Sequence, residues 1–146
     1  MAVSREYPVR PIIGVGVVVW HGERVLLVRR GKAPRLDQWS LPGGAQQLGE
    51  TVAEAARREV KEEVGLEIVL GEIVATVDLI ERDQQGRIRY HYTLVDFVAE
   101  AAGAELRPGS DAAEACWFRL AEIEALGLWS ETVRVIKLAD ERRPCR

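Results

Sequence analysis

The chain has 146 residues, of which 47% are hydrophobic and 29% charged, with a formal net charge of −3. That length predicts one domain over residues 1–146, long enough to bury a real core. The slight negative balance excludes a bulk electrostatic footprint for a nucleic-acid polymer, so a phosphorylated ligand would have to be met by local basic groups. Cys116 and Cys145 are the only cysteines; they make neither a disulfide framework nor a zinc site, and a reduced, cytoplasmic setting is expected. The start, MAVSREYPVRP, lacks the apolar core of a signal peptide. The longest apolar run is too short to span a bilayer, so no membrane partner is expected.

Ile12 to Trp20 (IIGVGVVVW) is rich in β-branched residues and predicts a buried strand. His21-Gly22-Glu23 predicts a turn, and Arg24 to Arg30 a returning strand, so the two should form a hairpin. A polar loop, Gly31 to Asp37, leads to a short strand at Trp39 to Leu41, which should stop at Pro42-Gly43-Gly44, where the glycines serve positive φ and close approach of main chain to a ligand, a simple tight turn, or both. A helix is expected over Val52 to Val64. Thr51 and Glu54 have capping-box spacing, Val52, Ala53, Ala56, Val60 and Val64 form an apolar stripe, and Gly65 suits a left-handed cap. Glu67 to Arg82 predicts one or two strands, Asp83 to Gly86 a turn, and Arg87 to Ala99 a paired strand. Ala102 to Ala113 reads as loop, Ala115 to Arg119 as a strand, and Ala121 to Leu126 and Glu131 to Arg142 as helices. Ser130 is the expected N-cap of the last helix. Strands on both sides of an internal helix, with a second helix at the end, give an α/β class with a mixed sheet between helices.

The most informative feature lies on the first helix. Glu59, Glu62 and Glu63 fall at steps of three and four, so their carboxylates share one face. Like charges at that spacing destabilise a helix, and something positive has to offset them. Hard divalent cations take carboxylate oxygens, which points to Mg2+ or Mn2+. An acidic face of this kind can also be simply solvated, laced by pairs such as Glu54 and Arg58.

The longer pattern decides between those readings. Gly44, five residues, Glu50, seven residues, Arg58-Glu59-Val60, one residue, Glu62-Glu63, one residue, Gly65-Leu66 resembles the complete box of the Nudix hydrolase family, without gaps. The resemblance implies an α/β/α sandwich and a pyrophosphohydrolase acting on phosphoric anhydrides. Such enzymes cut a nucleoside diphosphate linked to another moiety, with metal held by box glutamates. Carried onto this chain, Glu59, Glu62 and Glu63 become metal ligands, with a main-chain carbonyl from Gly43. Glu59 or Glu62 would hold the water or act as base, and Arg58 would orient a glutamate. Asp111 and Glu114 are candidates for an additional acidic ligand or substrate contact. Arg29 or Arg30 could bind phosphate, with strand alternation allowing at most one of them. Trp39 could stack on the substrate.

The strand HYTLVDFVAE and the stretch DAAEACWFRLAEIEAL resemble the ADP-ribose pyrophosphatase-like members, which makes ADP-ribose, cut to AMP and ribose 5-phosphate, the first choice. A house-cleaning (d)NTP pyrophosphohydrolase is the alternative. A non-catalytic nucleotide-binding module would be expected to lose Arg58 or a box glutamate, and this chain keeps them all. The partner is thus a small-molecule nucleotide. Family members often pair as homodimers, but no interface pattern stands out.

Overall fold

A computed structural model describes residues 5–31, 35–109 and 112–143. The first valine-rich run forms β1 (Ile12–His21), which turns at Gly22 into β2 (Arg24–Arg30). Gly14 to Trp20 are buried, which is why the run is continuously apolar rather than alternating. β3 (Trp39–Ser40) and β4 (Gly43–Ala45) follow, then α1 (Val52–Val64), β5 (Ile68–Arg82), β6 (Ile88–Ala101) and β7 (Ala112–Arg119). The chain continues through α2 (Leu120–Ile123) and a 3-10 turn (Glu124–Leu126) to α3 (Ser130–Glu141). Among the described residues the strands make one seven-stranded sheet with the path β3-β2-β1-β6-β5; β4 pairs with β1, and β7 with β2. β1 and β6 run parallel and the other pairs antiparallel, so the sheet is mixed.

Each face of the sheet carries its own core. Val15, Val17, Val19, Leu26, Val28 and Phe97 pack against Ala55, Ala56, Val60 and Val64 of α1. Val18, Trp20, Val25, Leu27 and Val98 pack against Ile123 of α2 and Val135, Ile136 and Ala139 of α3. This is the expected α/β/α sandwich. None of the helices among the described residues is long and apolar enough to cross a membrane.

The expected hairpin is present only at its tip. β1 meets β2 at Trp20 and His21, opposite Val25 and Arg24. The two strands then part. β4 takes over β1 at Gly14 to Gly16, and β3 takes over β2 at Val28 and Arg29. The resulting fork opens the cleft described below. It also sets aside the simple-turn reading of Pro42-Gly43-Gly44, because Gly43 and Gly44 pair with β1. Gly43 lies so close to β1 that a Cβ there would sit 1.9 Å from the Val15 carbonyl oxygen, and the absent side chain lets these glycines join the sheet.

Other boundaries moved for local reasons. β5 is one strand, carried through register shifts between Leu70 and Ala75. β7 begins at Ala112, three residues before the expected start. Ser130 is the first residue of α3 rather than its cap. The N-cap is Trp129, which makes no side-chain capping bond; its carbonyl accepts from Thr132 and Val133, and its ring packs on the second core.

α1 is held at both ends. At its start the Thr51 hydroxyl accepts from the Glu54 amide at 3.0 Å, and the Glu54 carboxylate accepts from the Thr51 amide at 2.9 Å. At its end Gly65 adopts φ 74° and donates to the Lys61 carbonyl. The segment after β6 then clasps the last turn: the Arg107 amide donates to the Val64 carbonyl at 2.8 Å and the Gly109 amide to the Glu63 carbonyl at 2.6 Å. These bonds satisfy carbonyls that a helix end otherwise leaves orphaned. Thr51→Ala is expected to cost about 1 kcal/mol of stability, read as a lowered thermal midpoint with the same far-ultraviolet circular dichroism.

Candidate active site

The acidic face of α1 is organised by Arg58. Its Nε donates to Glu50 Oε2 at 2.6 Å and its Nη2 to Glu50 Oε1 at 3.0 Å, a two-pronged clamp. Nη1 reaches Glu59 Oε1 at 2.7 Å and Glu62 Oε2 at 3.2 Å, and Nη2 also reaches the Ala45 carbonyl at 3.0 Å. The positive group offsetting the crowded carboxylates is thus built into the chain. Glu50 holds the guanidinium protonated well above its ordinary range, and Arg58 in turn holds the Glu50 carboxyl below the usual carboxylate range. Glu54, the other residue four positions from Arg58, is occupied by the helix cap.

The loop before the helix delivers Glu50. The Gln47 amide donates to Glu50 Oε1 at 2.9 Å, and the Gln46 side chain donates to the Glu50 carbonyl. β4 runs past the acidic face: the Gly43 amide donates to Glu63 Oε1 at 2.9 Å. A Cβ on Gly44 would lie 2.4 Å from the Glu59 carboxyl carbon, so glycine here leaves room for that carboxylate against the strand.

These groups line one side of a cleft of about 330 Å3 that runs through the fork between β1 and β2. Glu59, Glu62, Glu63, Gly43, Gly44 and Arg58 lie together there. On the α3 side the cleft is walled by Trp39, Leu41, Val77, Leu94 and Trp129, with Asp96 at its floor. Asp96 is 4% exposed, and burial pushes its carboxyl up to about 6, with only the charge of Arg134 opposing the shift.

The NUDIX domain family matches residues 10–139. The chain belongs to the Nudix family. It is 32% identical over 123 residues to the ADP-ribose pyrophosphatase of Methanocaldococcus jannaschii, covering 84% of this chain and 70% of that one. It is 36% identical over 84 residues to an 8-oxo-(d)GTP phosphatase of Mycolicibacterium smegmatis, covering 58% of this chain but 24% of that longer protein. The solved structure of a MutT NUDIX hydrolase from Burkholderia pseudomallei superposes with a TM-score of 0.76 at 27% identity, covering 88% of this chain and 98% of that chain. The protein is therefore an enzyme, a pyrophosphohydrolase of the Nudix type.

Within this Nudix domain the other residues singled out from sequence are distributed unevenly. Arg29 and Arg30 both line the cleft, although strand alternation allowed only one. The cleft runs through the fork and opens to both faces of the sheet, so alternation does not confine it to one arginine; the register shift beside them, Arg29 facing Glu114 and Arg30 facing Ala112, puts its extra residue in β7. Arg29 is tied to Asp37 and Glu114, each at 3.1 Å. Glu114 is not among the cleft-lining residues and serves as a tether for Arg29. Trp39 lines the cleft and meets Phe118 edge-to-face at 5.2 Å. Asp111 lies outside the described residues. Sequence reasoning missed Glu50 as the principal partner of Arg58, and missed Asp96 altogether. The signal for Asp96 was a lone acid in the apolar run LVDFVA, facing a glycine in β1.

Two outcomes follow from this geometry. Gly44→Ala displaces the flexible end of Glu59 rather than backbone, so the thermal midpoint should hardly change while turnover falls at least tenfold; unchanged turnover would contradict the fit. Asp96 has a folded pKa raised from 3.8 to about 6, so the folded state keeps its proton longer than the unfolded chain. Stability is then lost as pH rises from about 4 to about 6, by about 3 kcal/mol for a shift of this size, and stays low above that window. Asp96→Asn should therefore melt higher than the parent at pH 7.5 and at nearly the same temperature at pH 4.

Proposed function

We propose that this enzyme hydrolyses the pyrophosphate bond of ADP-ribose, releasing AMP and ribose 5-phosphate. The observation carrying the reading is the Arg58-centred carboxylate set opening onto the same cleft as Arg29, Arg30, Trp39 and Trp129. The 32% identity to an archaeal protein named ADP-ribose pyrophosphatase favours this substrate. The likeness to an 8-oxo-(d)GTP phosphatase favours the second reading, a (d)NTP pyrophosphohydrolase.

Nudix hydrolases generally use divalent metal ions. The donors here suit a hard cation: carboxylate oxygens of Glu59, Glu62 and Glu63 beside the main chain of Gly43, all on one cleft wall. Among the described residues these acids do not already converge as a three-ligand set. Glu59 and Glu62 point at Arg58 Nη1, whereas Glu63 meets the Gly43 amide. Glu59 and Glu62 would hold the cation by turning from Nη1, and Glu62, with a side chain 59% exposed, has room to do so. Glu50 would keep Arg58 anchored through Nε and Nη2 during that exchange. When bound, such an ion neutralises phosphate charge and lowers the pKa of its water.

The protein's own groups supply the rest. Arg29 and Arg30 offer positive charge to phosphate oxygens from the β2 side, and Glu59 or Glu62 accepts the proton of the attacking water. The test is a panel of ADP-ribose, dinucleoside polyphosphates, NADH, nucleotide sugars and common and oxidised (d)NTPs with Mg2+ or Mn2+. AMP and ribose 5-phosphate should appear from ADP-ribose, and chelation should stop their release. Glu62→Gln should lower turnover at least a hundredfold without changing the melting curve. Inert diphosphate derivatives with cleaved triphosphates would replace the first reading by the second.

A further inference from the structure

The cleft floor opposite the acidic helix is built by two facing pairs on neighbouring parallel strands, Gly14 with Leu94 and Gly16 with Asp96. A Cβ on Gly16 would lie 2.3 Å from Asp96 Oδ1. The carboxyl is thus laid over the β1 backbone at a point where any larger residue would push it away. Asp96 is more than nine-tenths buried, lines the cleft, and has no hydrogen-bond or ion-pair partner among the described residues; only burial and the charge of Arg134 act on it.

The charged groups around it are committed elsewhere. Arg134 on α3 pairs with Glu131, and Arg35 stacks 4.5 Å over Trp129 while pairing with Glu81. A buried acid without a partner is costly and rare in folded proteins, and its retention calls for a ligand that supplies the missing donors. The surrounding wall narrows the choice. Trp39, Leu41, Val77, Leu94 and Trp129 are apolar or aromatic, which suits a flat heterocycle, while the acceptor at the floor suits an N–H-bearing edge of that ring.

We propose that Asp96 is the specificity-determining acceptor of a nucleobase subsite, taking hydrogen bonds from amino or imino groups on the base edge of the bound nucleotide. The assignment rests on the reading of this cleft as a nucleotide site, but not on which moiety is attached to the diphosphate. Gly14 and Gly16 are part of the device, because they recess the floor and aim the carboxyl into the cleft.

The experiment measures equilibrium binding of three nucleoside monophosphates without metal, by quenching of tryptophan fluorescence at pH 8. AMP carries an exocyclic amine, GMP carries an amine beside a ring N–H, and purine riboside 5′-monophosphate carries neither. The parent protein should bind AMP and GMP about tenfold or more tightly than the unsubstituted purine, the range expected for hydrogen bonds to a charged acceptor. Asp96→Leu should erase that ratio. Asp96→Asn, which keeps one acceptor oxygen, should retain part of it, and melting curves establish that both variants are folded. An unchanged ratio in Asp96→Leu, an equal loss of affinity for all three ligands, or no binding of any of them by the parent would overturn the proposal. The readout is independent of the hydrolysis panel: cleavage of triphosphates instead of ADP-ribose would leave it standing.

Discussion

The site depends on a single guanidinium. Three carboxylates from one stretch of chain crowd around Arg58, whose planar fork meets Glu50 through Nε and Nη2 and both Glu59 and Glu62 through Nη1. The two-pronged contact with Glu50 sets the plane of the fork, and that plane decides where Nη1 meets Glu59 and Glu62. The contact to the Ala45 carbonyl adds β4 to the same unit. Helix, preceding loop and inserted strand are therefore tied together through one side chain, which holds the carboxylates in a fixed arrangement.

The parting of β1 and β2 links this unit to the rest of the sheet. A hairpin paired over its full length would leave no room for β4 or for a cleft. Because the strands separate after Trp20 and Val25, the sheet gains two walls of opposite character. One carries clustered, partly exposed acids held by arginine. The other carries tryptophans, aliphatic side chains and a solitary buried acid. The same functional group thus occupies two electrostatic environments a few strands apart, paired in one and stripped of partners in the other.

Local features were legible in the sequence and non-local ones were not. The box helix, its capping box and its glycine stop all appear at the expected residues, because each depends on neighbours within about four positions. The mixed sheet between helices followed from strands on both sides of an internal helix with a second helix at the end, and the family resemblance implied the same α/β/α sandwich. What sequence did not reveal depends on tertiary encounters. Glu50 finds Arg58 eight residues away only because the loop ahead of it folds back and holds it through Gln46 and Gln47. Gly43 and Gly44 look like a turn until β1 is present to pair with them. Arg29 and Arg30 share the cleft because it passes through the sheet to both faces, which no periodicity announces. The glycines of β1 were visible from the start, but what faces them became clear only with the parallel pairing to β6.

The connection between β6 and β7 bears on how such a chain can vary. Surface loops usually tolerate insertion well, and Ala102 to Gly109, with its proline and glycines, has that composition. Its far end is nevertheless welded to the helix that carries the carboxylates: Arg107 and Gly109 bind the last carbonyls of α1, and a side chain on Gly109 would meet the Glu62 carbonyl oxygen at 2.3 Å. The near end is held more lightly, by the Ala102 amide on the Glu67 carbonyl and the Trp117 indole N–H on the Ala104 carbonyl, so extra residues are better absorbed ahead of Glu105 than between Arg107 and Gly109. In lineages of this chain, length changes between Ala102 and Gly109 should accumulate on the near side, leaving a fixed tripeptide clasp beside a more variable segment.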